Sequence, residues 1–589
     1  MGVALIAWGR FFEHGAKVTV PAPSTHPGAP WLWDFLARRA TSLRRAGFTA
    51  LQIPPASKAL GGAGAGCDGY GVFDLRDLGG KPQQGSTPTR YGSVDSLRRM
   101  VGCCHAAGLD VYLDVVLHQL MGENGGPGVF RYLGADGRSL DGRGAMHPGC
   151  FRGGTGNNEP IPPFRPEDSV PAPKDDFPFG REKVYQNCDP PNFTTHDAID
   201  YGDWLFRTTD ADGMRFDDVK GTWAPFVAQF MGSRTMAGKF AYSEYFDGNR
   251  ALVNAWATNG PMHSRSLVAD FPLHWALQAA CDGENAAVLD GAGYASWNPF
   301  LSCTFVDNPD TDTSSGEQIV ANKLLAYAFV LTVEGYPFVY GKDYFGGDVW
   351  PGAYGLRPWI DNLIWIHENL ASGVTITRHV DDKVIVLNRT GGPGLLSALN
   401  FDTFNRRSVT CDTSFGPNVQ LHDYTGRHAD ITTDGQGRAS FVIPSNAFQS
   451  GQSYLCFSRA GIGAAFELQP RATTQTFFGA DDLDIASLRN GAHEMGRVHV
   501  ARNSKLNAVF HPVGDGWARG ASVSLEITGP DGRAIEHRTM KHGDAPAMLG
   551  ASATTVGWHG FRAMASGLSG PVPFELVATY HGTQDPGEV

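Results

Sequence analysis

Short apolar runs recur along roughly the first 350 residues, separated by longer stretches whose apolar positions return every three or four residues. The runs span residues 3–8, 49–53, 111–117, 214–219, 240–245, 267–271, 303–306 and 337–340, and each reads as a strand. Between them, residues 31–46, 94–107, 197–208 and 318–333 carry helical patterns, the first two stopped by Gly47 and Gly108. Glycine ends a helix there because it takes the left-handed conformation without a Cβ clash. Strands alternating with amphipathic helices predict a parallel α/β sheet, and eight repeats predict a closed (β/α)8 barrel of the TIM type.

The rhythm breaks once. Residues 118–188 are rich in Gly, Pro, Asn and Asp and lack a long periodic helix, which predicts a loop-rich insertion after strand 3. After about residue 366 the texture becomes short strands with turn residues between them, as in Lys383-Val-Ile-Val-Leu387, Ser440-Phe-Val-Ile443 and Ser453-Tyr-Leu-Cys-Phe457. That is the pattern of an antiparallel β-sandwich. The expected division is a barrel over 1–117 and 189–365, the insertion 118–188, a sandwich over 366–460, and a further β-rich domain over 465–589. In that last part Trp517 and Trp558 could present a carbohydrate-binding face, the alternative being a sandwich with its aromatics packed.

The composition, 42% hydrophobic and 18% charged, is that of a globular protein, and no run of about 18 apolar residues is present to span a bilayer. A net charge of −12 disfavours nucleic acid and anionic membrane surfaces as partners and suits a neutral substrate such as a carbohydrate. The nine cysteines are scattered, without Cys-x-x-Cys spacing, so neither a disulfide framework nor a zinc site is expected, and adjacent Cys103 and Cys104 read as helix packing. The chain opens on a strand-like run with no basic leader before it, which predicts a cytoplasmic protein, with secretion as the alternative if a signal peptide has been removed.

Candidate chemistry sits where the apolar runs end. Gly213-Met-Arg-Phe-Asp217-Asp-Val-Lys220, Ser243-Glu-Tyr-Phe-Asp247 and Phe305-Val-Asp-Asn-Pro-Asp310 each place a carboxylate at a strand tip. Barrel enzymes build their sites there, and carboxylates converging on a sugar ring can attack, donate a proton and steady charge. Alternate residues of a strand share a face, so Arg215 and Asp217 point the same way, and the arginine favours the ionised nucleophile. Glu244 is flanked by Tyr242, Tyr245 and Phe246, an apolar surround suited to a proton donor. Asp310 supplies a third carboxylate, while Asp218 and Asp247 read as structural.

In these motifs the chain resembles the alpha-amylase family, glycoside hydrolase family thirteen, as an atypical member. The resemblance covers about residues 2–345 and includes Pro54-Pro-Ala-Ser57, Asp68-Gly-Tyr70, Tyr91-Gly-Ser93, Asp110-Val-Tyr-Leu-Asp-Val-Val116 and the three carboxylate motifs. It implies Asp217 as nucleophile, Glu244 as general acid/base and Asp310 as the third carboxylate. It implies Arg215 beside the nucleophile, Tyr70 stacked on the sugar in subsite −1, Asp114 as the structural aspartate of the third strand, and Lys220 lining the aglycone side. The implied activity is retaining hydrolysis of α-1,4-glucosidic bonds in starch, glycogen or maltooligosaccharides through a covalent glycosyl-aspartate, with no cofactor needed for the chemistry.

Two departures bear on substrate and metal. Where the family has Asp-x-x-x-Asn-His, this chain has Asp114-Val-Val-Leu-His118-Gln119, and where it has Asn-His-Asp, this chain has Asn308-Pro309-Asp310. Both histidines that bond the −1 sugar are replaced. Gln119 keeps a donor that can bind substrate; Pro309 has none. The asparagine that usually ligates calcium is His118, whose alternatives are a shifted sugar contact, which the one-residue offset opposes, or a buried hydrogen-bonded ring. Asp189 matches a second calcium ligand, so structural calcium is left open. The departures keep two other functions in play: a transglycosidase or an enzyme of small α-glucosides, and a degenerate non-catalytic carbohydrate-binding protein, the last opposed by the intact Asp217, Glu244, Asp310 and Arg215.

Overall fold

The computed structural model describes residues 2–9, 23, 28–64, 67–134, 139–140, 146, 148–151, 180–185, 193–312, 316–348, 350, 352–479, 487–514 and 516–589. Eight strands form the barrel: β1 (Val3–Ile6), β2 (Phe48–Gln52), β3 (Asp110–Val115), β4 (Gly213–Phe216), β5 (Phe240–Ser243), β6 (Leu267–Ala269), β7 (Ser302–Phe305) and β8 (Tyr336–Tyr340). They close in the order β1-β8-β7-β6-β5-β4-β3-β2, so every strand neighbours its predecessor in the chain. These strands pair in parallel, with Leu5 opposite both Leu51 and Val339, and Arg215 opposite Asp114. Strands such as Val3-Ala-Leu-Ile6 are buried at every position, as parallel strands covered on both faces must be. The expected closed barrel, followed along the chain by antiparallel sheets, is the fold observed.

Two helices fall short of their expected extents, and the one expected at 197–208 begins four residues earlier, at Phe193. The pattern at 31–46 folds as α1 (Leu32–Ala37) and α2 (Ala40–Arg45), joined by a tightened turn in which Arg39 N donates to Leu36 O at 3.0 Å. The pattern at 318–333 becomes helical only at Lys323, because Asn322 is left-handed, at φ 59°, and gives its side-chain amide to Cys281 O. The helix Val94–Ala107, here α3, follows the sequence closely: Ser93 accepts from Ser96 N at its start, and Gly108 at φ 88° ends it. Cys103 and Cys104 are buried in its packed face.

The chain forms two compact units, one including β1, β2 and Ala241–Glu467, the other including Ile53–Phe240 and Leu468–Val589. In the first, strands between Thr375 and Arg459 build a six-stranded antiparallel sheet faced by the pair Arg407–Asp412 and Arg438–Ile443. Alternate residues of that pair, among them Val409, Cys411, Ala439 and Phe441, meet Val386, Leu396 and Leu455 in a shared core.

In the second unit, two four-stranded antiparallel sheets enclose Val498, Phe510, Leu525, Phe561 and Leu576. Their first strand, Thr473–Phe478, is fastened to α3 and to α4 (Phe193–Thr209). Gln475 Nε2 donates to Arg98 O at 3.1 Å and Thr209 O at 3.0 Å, a His105 ring nitrogen lies 2.9 Å from Thr473 Oγ1, and Arg207 forks onto Glu575. Trp558 is half-buried there, with the guanidinium carbons of Arg497 and Arg99 4.6 and 5.5 Å from its ring centre. Trp517 packs on the core of the same sheets.

Candidate active site

Arg215 is the hub of the second unit's share of the strand ends. Its Nη1 donates to Asp114 Oδ1 and Oδ2 at 2.7 and 2.8 Å, to Asp217 Oδ1 at 2.9 Å and to Tyr70 OH at 3.2 Å. The β3–β4 register places Arg215 and Asp114 opposite one another, and the period of two along β4 turns Asp217 to the same face. Phe216, between them, points the other way into Phe226 and Phe230. All four polar side chains are buried, where a guanidinium facing two carboxylates is a strong, directional contact.

Tyr70 is fixed from three sides. Its hydroxyl donates to Asp114 Oδ2 at 2.8 Å, its ring lies 5.7 Å from the Arg215 guanidinium carbon, and its carbonyl accepts from Gln119 Nε2 at 3.1 Å. Asp68 accepts from Tyr70 N at 3.3 Å and its own carbonyl accepts from Tyr91 OH at 2.6 Å, so Asp68-Gly-Tyr70 is an anchored turn. Gln119 adjoins this turn. It is 1% exposed and sits in a two-residue strand, Gln119–Leu120, paired with Arg181–Glu182. One of its two amide N–H groups is given to the Tyr70 backbone carbonyl.

His118 is buried, with Nδ1 3.0 Å from Asp218 Oδ2. Lys220 is half-buried in the turn that follows. Asp189 lies outside the described residues. Among those described, no group of three or more His, Cys, Asp or Glu side chains could hold a metal ion.

The first unit carries Glu244 and Asp310. Glu244, directly after β5, is buried, and its aromatic neighbours turn into the packing: Tyr242 against Phe338, Tyr245 against Trp256, Phe246 against Phe271 and Trp275. Asp310, half-buried, sits in a turn gripped by Asn308, whose Oδ1 accepts from Asp310 N at 2.8 Å and Thr311 N at 2.9 Å.

Beneath this turn lies an ion cluster the sequence did not disclose. Thr311 Oγ1 donates to Asp307 Oδ1 at 2.9 Å, and Lys323 Nζ pairs with Asp307 and, at 3.1 Å, with Asp343, which also accepts from Tyr327 OH at 2.6 Å. Lys342 pairs with Asp312 beside it. Burial pushes the carboxyls of Asp307 and Asp312 up to about 6. Desolvation opposes the charge of Lys323, but Asp307, Asp343 and Asp312 outweigh it and hold the ammonium above its ordinary range. A lysine opening the otherwise apolar run Lys323-Leu-Leu-Ala-Tyr-Ala-Phe-Val330, buried throughout, was the available signal, since a buried ammonium requires partners.

No protein-family model matches the chain. Sequence relatives do: it is 28% identical over 461 residues to an alpha-amylase of Geobacillus stearothermophilus, covering 70% of this chain and 82% of that one. It is 25% identical over 472 residues to the cytoplasmic alpha-amylase of Escherichia coli (strain K12), covering 71% and 94%. The chain is alpha-amylase-like. Among solved structures, an alpha-amylase from Geobacillus thermoleovorans complexed with acarbose matches this alpha-amylase-like chain with a TM-score of 0.56 at 16% identity, over 78% of it and 97% of that protein. A gamma-CGTase from Alkalophilic bacillus clarkii matches with a TM-score of 0.56 at 15% identity over 98% and 94%, so the shared fold extends into the C-terminal sheets.

Proposed function

We propose that this chain is a retaining glycoside hydrolase of α-1,4-glucans, acting on starch, glycogen or maltooligosaccharides. The observation that carries the reading is the Arg215 guanidinium shared between Asp114 and Asp217, with the Tyr70 hydroxyl completing the set. A carboxylate held rigidly by such a donor is oriented for attack on an anomeric carbon. Asp217 forms the C–O bond to the sugar while the glycosidic oxygen leaves, taking a proton from Glu244; Glu244 then deprotonates the water that releases the glycosyl group from Asp217. Asp310 holds the distorted ring, Tyr70 stacks on it, and Lys220 lines the leaving-group side. The alpha-amylase relatives support the substrate class. One relative's name, together with eight described cysteines that are all free, supports a cytoplasmic setting.

Release of reducing sugar from starch and maltooligosaccharides tests the reading. Asp217→Asn is expected to lower kcat by about 10³-fold or more with the fold intact; retained activity would sink the assignment. Transfer to an acceptor sugar is the second reading, favoured by the bond Gln119 gives to Tyr70 and by Pro309, which together change the subsite that holds the intermediate. A product distribution that shifts when free glucose or maltose is added would establish it.

A further inference from the structure

A buried contact joins the insertion after β3 to the turn after β4, and it concerns the metal rather than the sugar. His118, 1% exposed, has its Nδ1 3.0 Å from Asp218 Oδ2 and its Nε2 3.6 Å from Glu182 Oε1. Both carboxylates are placed by the backbone around them. Asp218, left-handed at φ 37°, accepts from Gly221 N on its other oxygen at 3.0 Å. Glu182 lies in the two-residue strand paired with Gln119–Leu120, and the next residue's amide, Lys183 N, donates to His118 O at 2.7 Å.

Gly221 makes the room for the ring. A Cβ at that position would stand 2.7 Å from His118 Cε1 and Nε2 and 2.6 Å from Asp218 Oδ2, closer than real Cβ contacts come. His118 and Gly221 are thus fitted to each other.

The resemblance implies a calcium ligand at the position His118 holds. Calcium takes six to eight oxygens at about 2.3–2.6 Å. Here that position offers a ring nitrogen, and the ring itself fills the space against Gly221, so these residues do not fit the ion. We propose that His118, set between Asp218 and Glu182, takes over the joining role of a cation at this junction, and that the junction needs no divalent metal to hold. The inference is separate from the proposed activity and is read from folding alone.

Thermal unfolding of the full chain, followed by circular dichroism after dialysis against EDTA and again with calcium chloride, tests it. The wild type is expected to keep one Tm in both conditions. His118→Asn is expected to lower Tm by about 5 °C or more in EDTA, since it breaks a buried pair and leaves two carboxylates behind. Gly221→Ala supplies an arm that does not depend on that variant: it is expected to lower Tm in the wild type and to cost less in a His118→Ala background, where the collision with the ring is gone and only the one with Asp218 Oδ2 remains. A wild-type Tm that falls in EDTA and recovers with calcium would overturn the proposal. So would a Gly221→Ala cost that is the same with and without the ring.

Discussion

Arg215 donates through a single nitrogen to two carboxylates and a phenol. Lysine carries the same charge on a flexible stem with a different donor geometry, so it cannot hold Asp114 and Asp217 in the same relation. Arg215→Lys is expected to lower kcat on maltooligosaccharides by about 10²–10³-fold while KM changes little, because the lost contact orients the attacking group. Steady-state kinetics of the purified variant check this; an equal rise in KM with kcat unchanged would place Arg215 in ground-state binding instead. At this scale the sequence was legible where the period of a strand decides direction, as for Arg215, Phe216 and Asp217. It was not legible for Gln119, whose partner strand is two residues long and lies in a segment without periodic pattern.

Among elements, the helix that starts at Lys323 shows how a local pattern is overruled. Its apolar periodicity runs back to Gln318, yet Asn322 turns left-handed and Lys323 enters the interior, where Asp307 and Asp343 are both fully buried. The partners lie 16 residues before Lys323 and 20 after it, so no window along the chain reveals them together. Lys323→Met keeps the length of the side chain and removes the charge, stranding two buried carboxylates. A loss of about 3–5 kcal/mol in stability is expected, measured as a shift in guanidinium midpoint. Since Asp307 also anchors Thr311, the variant is further expected to lower kcat by loosening the turn that carries Asp310. No change in either quantity would show the cluster to be incidental.

For the molecule as a whole, the eight-strand rhythm gave the barrel away because each strand is continuous in sequence, whereas the seat of the last sheets on α3 and α4 joins segments hundreds of residues apart. That seat contains a titratable group. His499 is 5% exposed and faces Trp558, and burial, with Arg99 and His559 adding to it, pushes its imidazole down to about 4. Its folded-state pKa is depressed, so its contribution to stability is present above the unfolded value of 6.5 and is lost as pH falls toward 4. Tm is expected to decline over that window, and His499→Gln to flatten the decline; an unchanged slope in the variant would assign it to other groups. The same seat governs synthesis. His105 meets Thr473 across 368 residues, and at about 5–20 residues per second a ribosome needs roughly 20 to 70 s to deliver that partner. During that interval the helix faces that will carry the last sheets wait on the nascent chain for partners not yet made.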